Sequence, residues 1–208
     1  VGAGTEAFVS GADISQFETQ RSTPEARARY AERAGAYKPL LREFPKPTIA
    51  CIRGYCLGGG LAVAIATDIR IAAASSQFGI PAAKLSIAYP FAGVRTLTAL
   101  VGPSWARMLL YSAMRIGAPE AERIGLITRQ VADDALWDET MALATTIARN
   151  APLSVAAAKV TIDQVMKDPA ERDMAAIERI AERCANSDDA REGRQAFMEK
   201  RAPRFRGC

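Results

Sequence analysis

The chain has 208 residues, 49% hydrophobic and 24% charged, enough for one full domain with a small appended one and unlike a disordered segment. Its net charge of +4 comes from 27 basic against 23 acidic residues; only the tail KRAPRFRGC approaches the clustered charge of a nucleic-acid footprint, and the mild excess equally suits a phosphorylated small molecule. There is no histidine, which excludes Ser–His–Asp and Cys–His catalysis, histidine acid–base chemistry and most transition-metal sites.

The four cysteines (Cys51, Cys56, Cys184 and Cys208) form no CxxC pair. Buried thiols in a reducing cytoplasm are therefore expected rather than disulfides or a metal site. The longest apolar runs, such as 61–66, fall far short of the roughly 20 residues of a membrane span. The chain opens on a turn, VGAGTEAF, without a basic or apolar leader, and so reads as the interior of a longer protein.

In chain order, FVSGADISQF at 8–17 reads as an apolar strand, a Ser-Gly-Ala-Asp corner and a helical start. Residues 24–43 suit an exposed helix ended by FPKP at 44–47. Short buried strands of the parallel type are expected at 48–52, 69–73 and 85–88. Beyond Pro103, with Ser104 as a candidate cap, the pattern turns helical, through 118–125 and then roughly 134–150, 152–168 and 170–186. The expected organisation is an α/β core over 1–133 and a helical subdomain over 134–208.

Between the strand and turn TIACIRGYC and the apolar helix LAVAIATD stands the triplet Gly58-Gly59-Gly60. Glycine weakens a helix by about 0.5–1 kcal/mol relative to alanine, so this is a place where backbone is wanted. One reading is a corner that allows tight strand–helix packing. The other is an anion or oxyanion site, in which unpaired N–H groups of the first helical turn meet a ligand. The 8–17 segment is a second corner of the same kind, and two such corners could converge on one oxygen.

With both corners in view, the chain resembles the enoyl-CoA hydratase/isomerase (crotonase) superfamily. The pattern is carried by Phe8, Gly11 and Asp13, then Lys46 and Pro47, then Gly54 with Gly58, Gly59 and Gly60, then Phe78, Gly79 and Pro81, and by the ending AFMEKRAPRF. The resemblance implies an α/β fold, a spiral of ββα units followed by a C-terminal helical trimerisation region, with N-terminal strands of the family missing. It implies an acyl-CoA thioester substrate, coenzyme A arriving as part of that substrate with no separate cofactor or metal, and a homotrimer or dimer of trimers. Ala12 and Gly59 match the backbone donors of the family's oxyanion hole, flanked by Gly11, Asp13 and Gly58. Phe197 and Lys200 match positions that reach coenzyme A from a neighbouring subunit, although a solvated amphipathic helix would carry the same residues. Asp13 is most simply a helix N-cap.

The two positions at which a hydratase of this family carries glutamates are Ala62 and Ala82. Asp68 and Lys84, the nearest charges in sequence, have the wrong spacing. Water addition thus lacks its acid–base pair. In LSIAYPFAG, where the family often has a glycine-rich turn, this chain carries Tyr89. It is similar there to the subgroup that decarboxylates methylmalonyl-CoA, which has a tyrosine and no glutamate pair, but also a histidine where this chain has Ala12. Tyr89 is thus either a catalytic group or a core aromatic whose hydroxyl is satisfied locally. The expectations are a lyase-type acyl-CoA enzyme, a hydratase or isomerase using other acids, a non-catalytic acyl-CoA binder, or an RNA-binding relative supported by the tail alone.

Overall fold

The computed structural model describes residues 1–16 and 22–208. The last residues of the helical start expected after Asp13 lie outside those described; Ile14–Gln16 form one turn of 3-10 helix. The chain divides into two compact units, residues 1–44 with 48–140, and 45–47 with 141–208.

The first unit is built on short parallel strands. In one sheet β1 (Ala7–Val9) pairs with β3 (Tyr55–Leu57), β3 with β5 (Gln77–Gly79), and β5 antiparallel with β6 (Arg115–Gly117). In the other, β2 (Ile49–Ile52) pairs with β4 (Ile69–Ala73) and β4 with β7 (Arg129–Val131), both parallel. The strands expected at 48–52 and 69–73 are β2 and β4, in register from Ile49↔Ile69 to Ile52↔Ala72. Their apolar sequence, broken once, fits a parallel sheet covered on both faces. The polar exception, Arg70, is buried and satisfied: its Nε donates to the Leu126 carbonyl at 2.9 Å and its NH1 to that of Thr67 at 2.8 Å.

Three expectations differ in detail. The 24–43 segment is two helices, α1 (Pro24–Gly35) and α2 (Tyr37–Arg42); the Ala36 N–H bonds back only three residues, to Arg33, and breaks the α-helical ladder there. No strand forms at 85–88. Pro81–Leu85 is a 3-10 helix closed by Ser86 in the left-handed region (φ 52°), with the Ile87 N–H returning to the Ala82 carbonyl. After the short α3 (Gly59–Ala64), the next helix, α4 (Phe91–Ser112), begins well before Pro103. Gly102 (φ 72°, ψ 165°) kinks it, so Pro103 opens the second half and Ser104 lies inside. Burial of Leu97 and Val101 favours the first half despite its β-branched residues.

The unit is completed by α5 (Ala118–Arg123) and the start of α6 (Leu136–Ala148). The second unit carries α7 (Pro152–Val165), α8 (Met174–Ala185) and α9 (Asp188–Met198). The helix expected from 170 starts four residues later, because Pro169–Glu171 form a 3-10 turn and Asp173 caps α8 by accepting the Ala176 N–H at 2.8 Å. Buried Asp189 accepts the Arg206 and Gly207 N–H groups, each at 2.7 Å, strapping the tail along α9. Arg201 adds an exposed ion pair to Glu192. All four cysteines are free thiols. No helix among the described residues is long and apolar enough to cross a membrane.

Candidate functional site

The two glycine corners meet. β1 runs into Gly11, which takes φ +103°, a conformation open to glycine and rare for other residues. A Cβ there would lie 3.2 Å from the Leu57 carbonyl oxygen. β3 runs into Gly58 (φ 52°), whose N–H donates to the Gly79 carbonyl at 2.8 Å. Gly60 is buried so tightly that a Cβ would fall 1.9 Å from the Val9 carbonyl oxygen. A Cβ on Gly59 would sit 3.9 Å from Gly11 Cα. Backbone therefore stacks on backbone, and this close approach accounts for glycine at both corners.

Ala12 and Gly59 are both exposed beside this contact. Among the described residues neither main-chain N–H has a hydrogen-bond acceptor. Such orphan donors are normal at a helix start, and here two come from different segments. The helix behind Gly59 is shorter than the run 61–68 suggested: α3 ends at Ala64, where Ile65 begins to close it. Its six residues leave the local N–H groups, rather than an extended dipole, as the source of positive potential. Asp13 is a local cap, its Oδ1 accepting the Ser15 N–H at 3.0 Å and the Ser15 hydroxyl at 2.7 Å.

Ala62 and Ala82 lie beside the same corner. The Ala62 N–H donates to the Gly58 carbonyl at 3.1 Å, and Pro81, next to Ala82, is the nearest neighbour of a Cβ built on Gly58, at 3.7 Å. Ala82 packs against the hydrophobic core. Asp68 is used elsewhere: its Oδ2 accepts the Thr48 N–H at 2.6 Å and the Thr48 hydroxyl at 2.9 Å. Lys84 is exposed.

Tyr89 sits between the 3-10 helix and α4, its ring over Gly93, where a Cβ would meet Cε1 at 2.7 Å. The ring packs on the core, but its hydroxyl oxygen is buried with no hydrogen-bond partner among the described residues. Buried polar atoms are nearly always paired, and no local satisfaction of this one is present. Burial pushes the phenol up to about 12, helped by the nearby Tyr37 and Cys56 groups. Tyr89 is therefore a protonated donor throughout the neutral range. Cys56 is likewise pushed up to about 12 by burial and stays a thiol. Tyr37 was not singled out by any sequence motif; its signal is spatial only.

Phe197 and Lys200 belong to the second unit. Phe197 is 82% exposed near the end of α9. Lys200 follows the helix in the left-handed conformation (φ 54°), its N–H on the Phe197 carbonyl and that of Arg201 on Ala196, a Schellman closure made without glycine. Among the described residues no three His, Cys, Asp or Glu groups gather to hold a metal. A polar cavity of about 500 Å³ lies at the opposite end of β3 and β5, lined by Glu6, Arg53, Ser75 and Asp133 among others. Several of its groups already hold one another: Asp133 accepts the Ser75 N–H, and Arg53 donates to the Asp133 carbonyl.

Comparison with known proteins gives one consistent result. A sequence model of the family described as enoyl-CoA hydratase/isomerase matches residues 1–208. A crotonyl-CoA hydratase of Syntrophomonas wolfei is 37% identical over 204 residues, 98% of this chain and 78% of that protein. A short-chain-enoyl-CoA hydratase of Clostridium acetobutylicum is 35% identical, over 96% of this chain and 76% of that protein. The crystal structure of an enoyl-CoA hydratase/carnithine racemase from Magnetospirillum magneticum superposes with a TM-score of 0.92 at 34% identity, covering 99% of this chain and 76% of that one.

The corner contact predicts a steep steric penalty. Gly60→Ala must push β1 from α3, since its Cβ has backbone and not a flexible side chain against it. The expected loss is about 1–3 kcal/mol of stability, the usual range for overpacking, read as a lower urea midpoint at unchanged slope. An unchanged midpoint would contradict the packing described.

Proposed function

Because the chain belongs to the enoyl-CoA hydratase/isomerase family, we propose that the two unpaired N–H groups of Ala12 and Gly59 form an oxyanion hole for a thioester enolate. The substrate is an acyl-CoA, and no separate cofactor is needed. The observation that supports this is the close approach of Gly11 and Gly59, beside which the Ala12 and Gly59 N–H groups have no acceptor among the described residues. Preorganised donors of this kind act where charge develops, and removing one typically costs ~2.7–4 kcal/mol of transition-state stabilisation.

The reaction we favour is decarboxylation of a malonyl-type thioester. With alanine at positions 62 and 82, the two carboxylates with which a hydratase of this family activates water are replaced by side chains that carry no proton. Decarboxylation needs neither carboxylate. The bond between the α-carbon and the carboxylate breaks, its electron pair enters the enolate held by Ala12 and Gly59, and carbon dioxide leaves. The α-carbon then takes a proton from the Tyr89 hydroxyl, which regains one from water. The buried, unpaired and protonated state of that hydroxyl supports this assignment. Phe197 and Lys200 contribute to coenzyme A binding in a neighbouring subunit of a homotrimer or a dimer of trimers. The strongly exposed Phe197, Met198, Ile162 and Val165 of the second unit support burial against a further copy.

Three measurements test these statements. Gly59→Pro removes one donor at the first helical position, where proline is tolerated, and should lower kcat by about 100- to 1000-fold in protein that keeps its circular dichroism; undiminished turnover would exclude the hole. The wild type should release carbon dioxide from malonyl-CoA and hydrate crotonyl-CoA barely above background. Tyr89→Phe should lower kcat for decarboxylation with little change in acyl-CoA affinity, the signature of a lost transition-state interaction. Brisk hydration by the wild type would instead mean that an acid–base pair lies elsewhere. Light scattering at micromolar concentration should give a mass of three or six chains, and a monodisperse monomer would oppose the assembly.

A further inference from the structure

The polar cavity of about 500 Å³ at the far end of β3 and β5 falls within the roughly 300–1,000 Å³ range of small-molecule sites. All three parallel strands of the second sheet run into it: β2 leads into Arg53, β4 into Ser75 and β7 into Asp133. Open parallel sheets bind their ligands beyond the carboxyl ends of the strands. The corner with Ala12 and Gly59 lies at the other end of β3, so the two places are distinct. Two charged side chains in the cavity wall have capacity to spare. Arg53 is anchored through one N–H, which donates to the Asp133 carbonyl at 2.6 Å, and its other guanidinium donors have no acceptor among the described residues. The Glu6 carboxylate has no partner among the described residues either. The Asp133 carboxylate, by contrast, is spent on the N–H and the hydroxyl of Ser75.

Arg53 and Glu6 are held side by side. Gly54, next to Arg53, takes φ 68°, and a Cβ there would lie 2.1 Å from the Glu6 carbonyl oxygen, which also accepts the Tyr55 N–H at 3.1 Å. Opposite charges thus line one cavity on adjacent segments, and among the described residues they form no ion pair with each other. We propose that the cavity binds a small α-amino acid with a polar side chain. Its carboxylate takes the spare donors of Arg53, whose planar fork matches that group. Its ammonium meets Glu6, and its side chain meets the Gln77 amide and the Thr5 hydroxyl that share the wall. Tyr55, 40% exposed with the Arg115 guanidinium 5.3 Å from its ring centre, is a fixed side of the site. The pairing of signs selects a zwitterion. A simple anion would face the Glu6 carboxylate and a simple cation would face Arg53, like charge against like. Adjacent charges on the protein suit the adjacent charges of an α-amino acid. This site is independent of the acyl-CoA chemistry proposed above.

Titration calorimetry with L-glutamine tests the site, against glutaramate, which lacks the ammonium, and γ-aminobutyramide, which lacks the carboxylate. L-Glutamine should bind, and each of the other two should bind about tenfold or more weakly, as for a lost hydrogen bond to a charged group. Arg53→Gln should weaken L-glutamine to the level of γ-aminobutyramide. Because Arg53 also holds the Asp133 carbonyl, Glu6→Gln is the variant that decides. Its side chain is exposed and without a partner among the described residues, so the thermal melt should stay as in the wild type. Its affinity for L-glutamine should fall to that for glutaramate, while glutaramate itself binds no more weakly than before. No heat with millimolar L-glutamine overturns the site. Glutaramate binding as tightly as L-glutamine, or Glu6→Gln binding L-glutamine like the wild type, overturns the assignment to a zwitterion.

Discussion

Backbone packed directly on backbone, where Gly60 meets the Val9 carbonyl and Gly11 meets that of Leu57, is the contact on which the first unit depends. It draws the ends of β1 and β3 together after only three residues of strand each. Strands so short have few ladder bonds with which to hold a geometry. The close fit of the glycines supplies the constraint, and the parallel sheet, the buried face of α3 and the Pro81 turn assemble round it. Beside the same contact, Ala12 and Gly59 are exposed on different segments with no acceptor for their N–H groups among the described residues, so the packing of the core and the polarity of this corner share one origin.

Round that fixed backbone the side chains are notable for what they do not ionise. Alanine stands at 62 and 82, Asp68, the nearest carboxylate to them in sequence, is spent on Thr48, and Cys56 and Tyr89 are held neutral by burial. The proposed decarboxylation matches these features: rigid backbone donors receive an electron pair released by a bond that breaks by itself, and no side chain has to move water's protons. The low polarity that would hinder acid–base catalysis would favour loss of a charged group from an uncompensated environment.

The second unit is held by a different means. Its last two helices, α8 and α9, are amphipathic and capped by Asp173 and Ser187, and its tail is strapped back by buried Asp189 taking two consecutive backbone N–H groups. That strap orders the chain immediately after Phe197 and Lys200, and the Schellman closure sets Lys200 in a left-handed turn that favours glycine over lysine. The left-handed Lys200 costs local stability, and the Asp189 strap secures the tail that leaves the helix there.

The sequence alone determined the family, the parallel strands at 48–52 and 69–73, both glycine corners and the absence of the two carboxylates. Each depends on residue identity at fixed spacing, which is local information. It left open whether the glycine triplet served packing or a ligand, and the structure shows packing so close that Gly60 admits no Cβ, beside two N–H groups without acceptors among the described residues. It misplaced a strand at 85–88 because apolar alternation is blind to Pro81 and the left-handed Ser86, which turn the segment. It also missed the first half of α4, whose β-branched residues are poor helix formers outweighed by burial of Leu97 and Val101. The Tyr89 hydroxyl, buried without a hydrogen-bond partner among the described residues, was decided by the tertiary structure alone. Burial and the lack of an acceptor are properties of everything that folds around a group, and no spacing along the chain encodes them.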